Sequence, residues 1–485
     1  MGAGRARILR QLVTESILLS GLAGLLGLPL ASRGIRGLIA LAPQGIVRLE
    51  EARIDVPVLA FSFGLSLATG LLFGLAPAIR TSRDTAASRH TRGVESRAMR
   101  RAFVLAEIAL AVVLLTGAGL VIRSLAAVES VEPGFRTSRV LTAALRYPNT
   151  VPREEQAERY RQAIARLGQA PGIYAAGAVE TMFYAGNDSK FGLRAVEGKP
   201  AEARQQWTPM TWTTISGDYF QALGVPLMEG RMFDERDRAD RTPVVIINET
   251  MARRYWPGED PIGKGIKGFD PRGRNDEWVR VVGVVKDMHS NGLDRAPIAQ
   301  IYEAQAQSQN ETEALVLQTS LTEEALRGTL RSIDPMAVMT DLAMLKDQLA
   351  EQTAPRRFQA LLLGLFAALA LLLAAAGIFA MMHYSVTQRT QEIGIRMAIG
   401  AGRPSVVRMV LREAFLLLGV GITLGMAGSL MLTRFLRSLL FEVGPGDPLT
   451  LASVALLLTG TASLACYFPA LRATRVDPIR ALRCD

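Results

Sequence analysis

Residues 358–382 read FQALLLGLFAALALLLAAAGIFAMM, residues 383–403 read HYSVTQRTQEIGIRMAIGAGR, and a second apolar stretch follows at residues 407–432. The first stretch holds no charged residue over 25 positions, and about 20 apolar residues are enough to cross a hydrocarbon core of ~30 Å. Both apolar stretches are therefore predicted to be membrane helices, joined by the charged segment between them.

That connecting segment mixes charged and apolar residues in the way an amphipathic helix does. Its charged residues are Arg389, Glu392, Arg396 and Arg403. Its apolar residues are Val386, Ile393, Ile395, Met397 and Ile399. We expect an arm that lies at the membrane interface or docks on a cytoplasmic partner, and an ordinary connecting loop is the alternative.

The arm also carries the motif RxxEIGIRxAxGA over residues 389–401. This motif resembles the coupling arm of FtsX-like ABC permeases, the family that includes the MacB type. The resemblance implies that residues 386–406 contact a separate ATPase subunit. It implies contact roles for Arg389, Glu392 and Arg396, and close packing or a turn at Gly394 and Gly400. The alternative for Arg389 and Arg396 is contact with lipid phosphates.

The composition favours a membrane protein over a nucleic-acid-binding one. The chain has 485 residues, of which 49% are hydrophobic, and a formal charge of +10. Much of the arginine lies in short segments between apolar stretches, which is the pattern of positively charged cytoplasmic loops. Two cysteines and three scattered histidines support neither a disulfide framework nor a metal site, so we expect no cofactor.

An internal repeat decides whether the N-terminal apolar stretch is a signal peptide or a membrane helix. Its basic start resembles a signal peptide. However, Gly2-Ala3-Gly4-Arg5, Glu15 and Gly27 reappear 398 residues later as Gly400-Ala401-Gly402-Arg403, Glu413 and Gly425. The stretch Pro77-Ala78-Ile79-Arg80 likewise matches Pro469-Ala470-Leu471-Arg472. Because no cleavable signal sits at the second copy, residues 12–31 are predicted to be a membrane helix.

Six spans are predicted, with both termini in the cytoplasm. They cover residues 12–31, 57–78, 103–122, 358–382, 407–432 and 449–468. Seven arginines between positions 79 and 102, and four in the C-terminal tail, place these segments inside the cell. The long segment between the third and fourth spans is therefore predicted to be extracytoplasmic.

That segment reads as a mixed α/β domain. Strands are predicted at 140–146, 174–183, 244–247, 279–285 and 314–319, and helices at 153–169, 249–256 and 323–333. The predicted fold class is thus an α-helical membrane protein with a large mixed α/β extracytoplasmic domain, in which helices pack on a sheet.

The family resemblance extends from about residue 103 to the end of the chain. It includes Pro133-Gly134-Phe135, the stretch from Gly217 to Leu227, Val281-Val282-Gly283-Val284-Val285 and Asp477-Pro478. These motifs resemble the periplasmic core domain and the tail of MacB-type permeases.

The resemblance divides the chain into segments of different origin. It implies a truncated first unit (1–80), a basic cytoplasmic linker (81–102), an opening helix (103–122), a periplasmic core domain (123–355) and an FtsX-like permease domain (356–485). The nearest likeness is the duplicated permease type of acidobacteria. The chain departs from that type because it lacks most of the first unit. We therefore expect Met1 to be an internal or misassigned start.

Other motifs were tested for chemistry. Gly258–Lys264 fits the first seven positions of a phosphate-binding loop, but Gly265 replaces the required Ser or Thr, and a helix is predicted before it. Residues 287–290 bring Asp, His and Ser together, but triad members converge through the fold and not by adjacency. Glu107 lies within a predicted span, where it is either a functional carboxylate or a side chain that snorkels to the interface. The sequence thus predicts no enzyme and no ATPase domain of its own.

The expected function is that of an ABC transporter permease subunit in the bacterial inner membrane. The expected partners are a separate ATPase and membrane lipid, with a periplasmic adaptor or a second permease copy as further possibilities and no nucleic acid. A regulatory membrane protein that acts on cell-wall hydrolases or signalling partners, and an inactive remnant of a duplicated permease, are the alternatives.

Overall fold

The computed structural model describes residues 5–42, 55–83, 92–148, 150–180, 190–191, 193–199, 208–268, 278–308, 314–388, 395, 399, 402–434 and 440–473. The chain divides into two compact units. One is formed by residues 1–126 together with 354–485, and the other by residues 127–353. The first unit contains the apolar helices, and the second is the predicted extracytoplasmic domain.

Ten α-helices are found in the described part of the chain. They are α1 (Arg5–Leu41), α2 (Val56–Arg83), α3 (Arg92–Ser130), α4 (Arg153–Gly168), α5 (Tyr219–Leu223), α6 (Glu249–Tyr255), α7 (Glu323–Ile333), α8 (Leu345–Gln388), α9 (Arg403–Leu432) and α10 (Pro448–Ala473). The helices of the first unit are α1, α2, most of α3, most of α8, α9 and α10, whereas the shorter ones lie in the second unit.

Five of these helices have described stretches that are long and apolar enough to cross a membrane, in place of the six that the sequence predicts. They are Val13–Leu41, Arg101–Ser130, Leu345–Gln388, Val407–Leu432 and Pro448–Pro469. The prediction of six spans is corrected at α2, whose described apolar stretch, Val56–Leu71, falls in the class of 10–17 residues. Helix α2 itself continues from Leu71 to Arg83.

Helices α3, α8, α9 and α10 form a bundle with a common apolar core. Each helix contributes small or β-branched side chains to it. The core residues are Val104, Ile108, Ala111, Val112, Ala374, Ile378, Met382, Val386, Ala414, Leu418, Val454, Leu458, Ala462 and Cys466. Small residues among them let the helix backbones approach closely. Because lipid tails are as apolar as these side chains, membrane helices associate through such close packing and not through the hydrophobic effect.

Two glycines of α9 bring this helix against α3. A Cβ atom on Gly421 would lie 2.6 Å from Cγ2 of Ile108, and one on Gly425 would lie 2.8 Å from the Ala109 carbonyl oxygen. Neither position has room for a side chain. Gly377 of α8 faces the Glu107 carboxylate of α3, which is the end of a flexible side chain, and Glu107 itself is exposed.

The second unit is built on a mixed sheet whose described strands number twelve. They are β1 (Val140–Arg146), β2 (Ile173–Val179), β3 (Lys190–Phe191), β4 (Ala195–Val196), β5 (Thr208–Gly217), β6 (Leu227–Gly230), β7 (Val244–Asn248), β8 (Gly265–Lys267), β9 (Val279–Val285), β10 (Ala299–Ala304), β11 (Ala314–Thr319) and β12 (Val338–Met344). The strand order is β12-β1-β11-β2-β5-β10-β7-β9-β8-β4, with β3 beside β5 and β6 beside β9. The pairs β5–β10 and β7–β9 are parallel, and the other pairs are antiparallel.

Helices cover this sheet on both faces. Along β11, Leu315 and Leu317 pack with α4 and α7, whereas Ala314 and Val316 face the core that contains α5 and the first turn of α8. This alternation follows from the two-residue period of a strand. Helix α6 packs on the β7–β9–β10 part of the sheet. The predicted fold class, apolar spans with a mixed α/β domain, is confirmed.

Candidate functional site

The five residues predicted to couple the arm to an ATPase lie outside the described part of the chain. They are Arg389, Glu392, Gly394, Arg396 and Gly400. Within the arm between α8 and α9, the structure describes Ile395 and Ile399. The Ile399 N–H donates to the Ile395 carbonyl oxygen at 3.0 Å, as in one turn of α-helix. Their side chains are 41% and 81% exposed, so this turn presents two isoleucines to its surroundings.

The helix that precedes the arm is longer than the sequence indicates. Helix α8 continues to Gln388, six residues beyond the predicted end of the span at Met382. Val386, which the sequence analysis assigns to the apolar surface of the arm, is only 8% exposed and belongs to the core of the bundle. That assignment is wrong because the helical period at the end of α8 turns Val386 inward, in line with Met382 one turn earlier.

Glu413 links three helices beside the end of α8. It lies on α9, forms an ion pair with Arg101 of α3, and lies 3.5 Å from the Ser385 hydroxyl of α8. Its side chain is 19% exposed. The Arg101 side chain is 42% exposed, so the ion pair is partly screened by solvent and the sheltered partner is Glu413. The three helices are therefore fixed to one another four residues before Arg389.

A groove opens next to this junction, at the first turns of α9 and the end of α10. Its volume is about 700 Å³. It is lined by Pro404, Val407, Arg408, Leu411, Arg412, Phe415 and Leu471. The lining is apolar apart from the two arginines, both of which are exposed. The sequence analysis does not find this groove, because it depends on which faces of α9 and α10 meet.

Helix α3 is also attached at its other end. Arg123 forms an ion pair with Asp447, the residue directly before α10, and the Ser124 hydroxyl accepts a hydrogen bond of 2.8 Å from the Phe441 N–H. The hydrogen bond from Arg123 lowers the pKa of Asp447 to about 2. Asp447 is therefore ionised at neutral pH, and it pairs with an Arg123 side chain that is 42% exposed.

The segment that resembles a phosphate-binding loop has the wrong surroundings for that role. A phosphate-binding loop follows a strand and opens a helix. Residues 258–264 instead follow α6 and lead into β8. Lys264, which would contact phosphate, is paired with Glu259. Residues 258–264 therefore lack the strand-before, helix-after surroundings of a phosphate-binding loop.

The Asp, His and Ser at 287–290 hold the local fold and do not meet one another as a triad. The Asp287 carboxylate accepts hydrogen bonds of 2.8 Å from both the N–H and the hydroxyl of Thr250 in the first turn of α6. The His289 ring nitrogen Nδ1 lies 2.9 Å from the Arg295 carbonyl oxygen, and the Ser290 hydroxyl is bonded to Gln300.

Comparison with known proteins gives two domain matches. The FtsX-like permease C-terminal family matches residues 364–478, and the MacB-like periplasmic core domain family matches residues 105–332. The macrolide export ATP-binding/permease protein MacB of Marinobacter nauticus is 29% identical over 277 residues, which cover 53% of this chain and 40% of that protein. MacB of Escherichia coli K12 is 30% identical over 286 residues, covering 55% and 42%. The chain thus matches about two fifths of the length of these relatives.

Solved structures of periplasmic and extracellular domains also match. The periplasmic region of MacB from Actinobacillus actinomycetemcomitans has 18% identity and a TM-score of 0.28, covering 43% of this chain and 90% of that one. The extracellular domain of the ABC-type transporter YknZ from Gram-positive bacteria has 16% identity and a TM-score of 0.27, covering 41% and 100%. The chain thus carries a MacB-like periplasmic core domain followed by an FtsX-like permease domain, in the order in which the motifs place them.

Proposed function

We propose that this chain is the permease subunit of a transporter whose energy comes from ATP hydrolysis on a separate ATPase, and that it passes the motion of that ATPase to the periplasmic domain. The related MacB proteins are named as ATP-binding/permease proteins, and the two domains matched in this chain are the permease and periplasmic core domains. We assign ATP hydrolysis to a partner that docks at the arm.

The junction at Glu413 is the observation that supports this proposal. A movement of the arm acts first on the end of α8, and Ser385 there lies beside Glu413. Because Glu413 also holds Arg101, α3 and α9 would move with the end of α8. Helix α8 supplies residues to both units, with Leu345 buried in the periplasmic core and Met382 in the bundle core. Packed helices of this kind shift as rigid bodies.

The docking surface of the ATPase would be the exposed isoleucine turn together with the neighbouring groove. Ile395 and Ile399 are four residues apart on one helical turn, which is the spacing of a helix that lays an apolar edge into a groove of its partner. Arg408 and Arg412 add positive charge on the same side of α9, since they too are four residues apart.

The test is affinity purification from native membranes, with vanadate-sensitive ATP hydrolysis measured in the eluate. We expect the activity to co-purify with the wild type and to fall at least tenfold in Ile399→Asp and in the Glu392→Ala, Arg396→Ala double variant. Met336→Asp is the matched control, because it places the same charge at an exposed apolar residue, 40% exposed, in the periplasmic unit. Equal ATPase recovery from all variants would contradict docking at the arm.

A second variant separates docking from transmission. Glu413→Gln removes the ion pair with Arg101 and leaves the docking surface unchanged. We therefore expect the ATPase to remain bound while its hydrolysis rate in the complex falls. If the eluate contains no ATPase even for the wild type, the regulatory or remnant alternatives gain support and the transport mechanism does not apply.

A further inference from the structure

A cavity of about 530 Å³ lies in the periplasmic unit, at the carboxyl ends of the parallel strands β5 and β10. Strand β5 ends at Gly217 and strand β10 ends at Ala304, and both residues line the cavity. Ligands of open sheets bind outside the carboxyl ends of parallel strands, and cavities of about 300–1,000 Å³ take small molecules. The position and the volume of this cavity therefore fit a ligand site.

Gln305 is a buried polar residue on the cavity wall that the fold leaves without a partner. It is 7% exposed and begins the 3₁₀ turn Gln305–Gln307, which directly follows β10. Neither Oε1 nor Nε2 of its amide has a hydrogen-bond partner in the part of the chain that the structure describes. Because an amide oxygen accepts and an amide nitrogen donates hydrogen bonds, leaving both buried and unpaired costs free energy of folding. The amide of Gln305 calls for a group that both donates and accepts.

Gln300 shows how a glutamine is satisfied by the protein itself at similar burial. It lies on β10 and is 3% exposed. Its amide donates to the Ser290 hydroxyl and accepts a hydrogen bond of 2.6 Å from the Tyr302 hydroxyl. Burial in this domain is thus compatible with full pairing, and the unpaired amide of Gln305 is a property of the cavity.

Three aspartates line the same cavity, and the fold already uses two of them. Asp237 accepts two hydrogen bonds from Arg231, and Asp234 pairs with Arg236. The third, Asp218, is exposed, and its carboxylate has no partner among the described residues. Although Asp218 directly precedes α5, its side chain makes no hydrogen bond that caps the helix. Its carboxylate is therefore available to a cation from solution.

The remaining wall favours apolar groups and gives no site for an anion. Ile164 of α4, Ile215 of β5 and Phe233 all line the cavity. Arg161 of α4 lines it as well, but this side chain already forms an ion pair with Glu158. The charge that the cavity leaves open is thus the negative charge of the aspartate.

We propose that this cavity binds a small ligand that carries a cationic amine, a carboxamide and an apolar side chain. The amine pairs with Asp218, the carboxamide exchanges hydrogen bonds with Gln305, and the apolar side chain packs against Ile164 and Phe233. Such a ligand satisfies both groups that the fold leaves unpaired. The site lies entirely within the periplasmic unit, so binding does not require the ATPase.

The experiment is calorimetric titration of the full-length chain in phosphatidylcholine nanodiscs, with empty nanodiscs as the reference because apolar amines also enter lipid. The probe is L-leucyl-L-phenylalaninamide, which carries all three groups, and we expect it to bind saturably at one site. Its N-acetyl derivative lacks the cation and should bind about fivefold more weakly. The methyl ester of the same dipeptide lacks the amide N–H donors and should bind about tenfold more weakly, because the Gln305 oxygen stays unpaired.

Two variants connect each ligand group to its residue. Asp218→Asn should bind the probe and its N-acetyl derivative with equal affinity, whereas Gln305→Leu should bind the probe and the methyl ester with equal affinity. Asp240→Asn is the matched control for the charge, because Asp240 is an exposed aspartate that does not line the cavity. It should keep the wild-type preference for the amine.

Thermal unfolding separates a ligand contact from a structural role of the amide. Gln305→Leu removes a buried group that has no partner, so we expect its midpoint to equal or exceed that of the wild type. Gln300→Leu removes a paired amide at similar burial, and its midpoint should fall because two hydroxyls lose their partner. A fall of the same size in Gln305→Leu would contradict the view that its amide awaits a ligand.

Three binding results would also overturn the proposal. No saturable binding of the probe to the wild type would show that the cavity does not take this class of ligand. Equal affinity for the probe and both derivatives would show that neither the amine nor the amide is recognised. Unchanged preferences in Asp218→Asn and Gln305→Leu would place the binding elsewhere. None of these readouts involves ATP hydrolysis, so their failure leaves the proposed coupling function standing.

Discussion

Replacing Gly425 by alanine should open the helix bundle of the membrane unit. The new Cβ atom would lie 2.5 Å from the Val112 Cβ atom, 2.8 Å from the Ala109 carbonyl oxygen and 3.0 Å from the Ala109 Cα atom. Two of these three neighbours are backbone atoms of α3, which do not move aside by rotating a side chain. Helix α3 is moreover held at both ends by Arg101 and Arg123, so the strain is not relieved by a small tilt.

The size of the effect follows from the packing. Overfilling a well-packed site by one methyl group costs about 1–3 kcal/mol. Because two of the neighbours are backbone atoms, we take the upper end of this range; the better helix propensity of alanine, about 0.5–1 kcal/mol, then leaves a net loss of about 2 kcal/mol. Gly419 lies on the same helix and a Cβ atom there would meet nothing within 4 Å. Gly419→Ala should therefore show the helix-propensity gain alone, so the two variants are expected to shift stability in opposite directions.

Cys466 is a built-in reporter for this measurement. It is free, 1% exposed and part of the bundle core. In a background that carries Cys484→Ser, the reaction of Cys466 with a maleimide fluorophore on heating reports the opening of the bundle. We expect the midpoint to fall by roughly 4–8 °C for Gly425→Ala, from a net loss of about 2 kcal/mol at 2–4 °C per kcal/mol. The reasoning is refuted if Gly425→Ala is as stable as Gly419→Ala, because the α3–α9 contact would then not be close.

Three further predictions concern the periplasmic unit, each measured by thermal unfolding. Arg231 donates hydrogen bonds of 2.7 and 2.8 Å to the carboxylate of Asp237 and so lowers the pKa of that buried group. The stabilisation is therefore present above about pH 4 and is lost as pH falls further. Asp237→Asn should cost about 1–3 kcal/mol of unfolding free energy at pH 7. The variant should also lose less of its thermal midpoint than the wild type does between pH 5 and 3. Burial raises the pKa of Glu303, which accepts a 3.0 Å hydrogen bond from the Trp212 ring. The folded state therefore loses stability as pH rises through that pKa, so Glu303→Gln should raise the midpoint at pH 8 more than at pH 4, and an equal rise at both would contradict the assignment. Asn248 is fully buried and caps α6; its side chain also donates to the Ile298 carbonyl oxygen and accepts from the Gln300 N–H. Asn248→Ala should therefore cost about 2–4 kcal/mol. An unchanged midpoint would count against this network.

The apolar spans, three of the four periplasmic helices and five of the twelve described strands are predictable from sequence because each depends on a local pattern. The uncharged stretch at 358–382 and the alternation at 314–319 both give the correct element. The seven strands that the sequence misses are β3, β4, β5, β6, β8, β10 and β12. Four of them have only two to four residues, which is too short for a two-residue period to show.

The candidate site is less predictable because it depends on contacts between distant segments. Glu413 is visible in the sequence only as a repeated residue, and its link to Arg101 spans more than three hundred positions. The end of α8 is similarly misjudged, since Val386 reads as part of an amphipathic arm until its neighbours in the bundle are known. For the motif residues of the arm itself, the family resemblance remains the source of their predicted roles.

The two hairpins, α1–α2 and α9–α10, show what a sequence repeat does and does not encode. Glu15 repeats as Glu413, and Asp55 and Asp447 stand in the same way directly before the second helix of each hairpin. Glu413 and Asp447 each form an ion pair with an arginine of α3, and these contacts depend on where α3 lies in the fold. A repeat therefore marks residues that are able to form such contacts, whereas the packing of the helices decides which of them do.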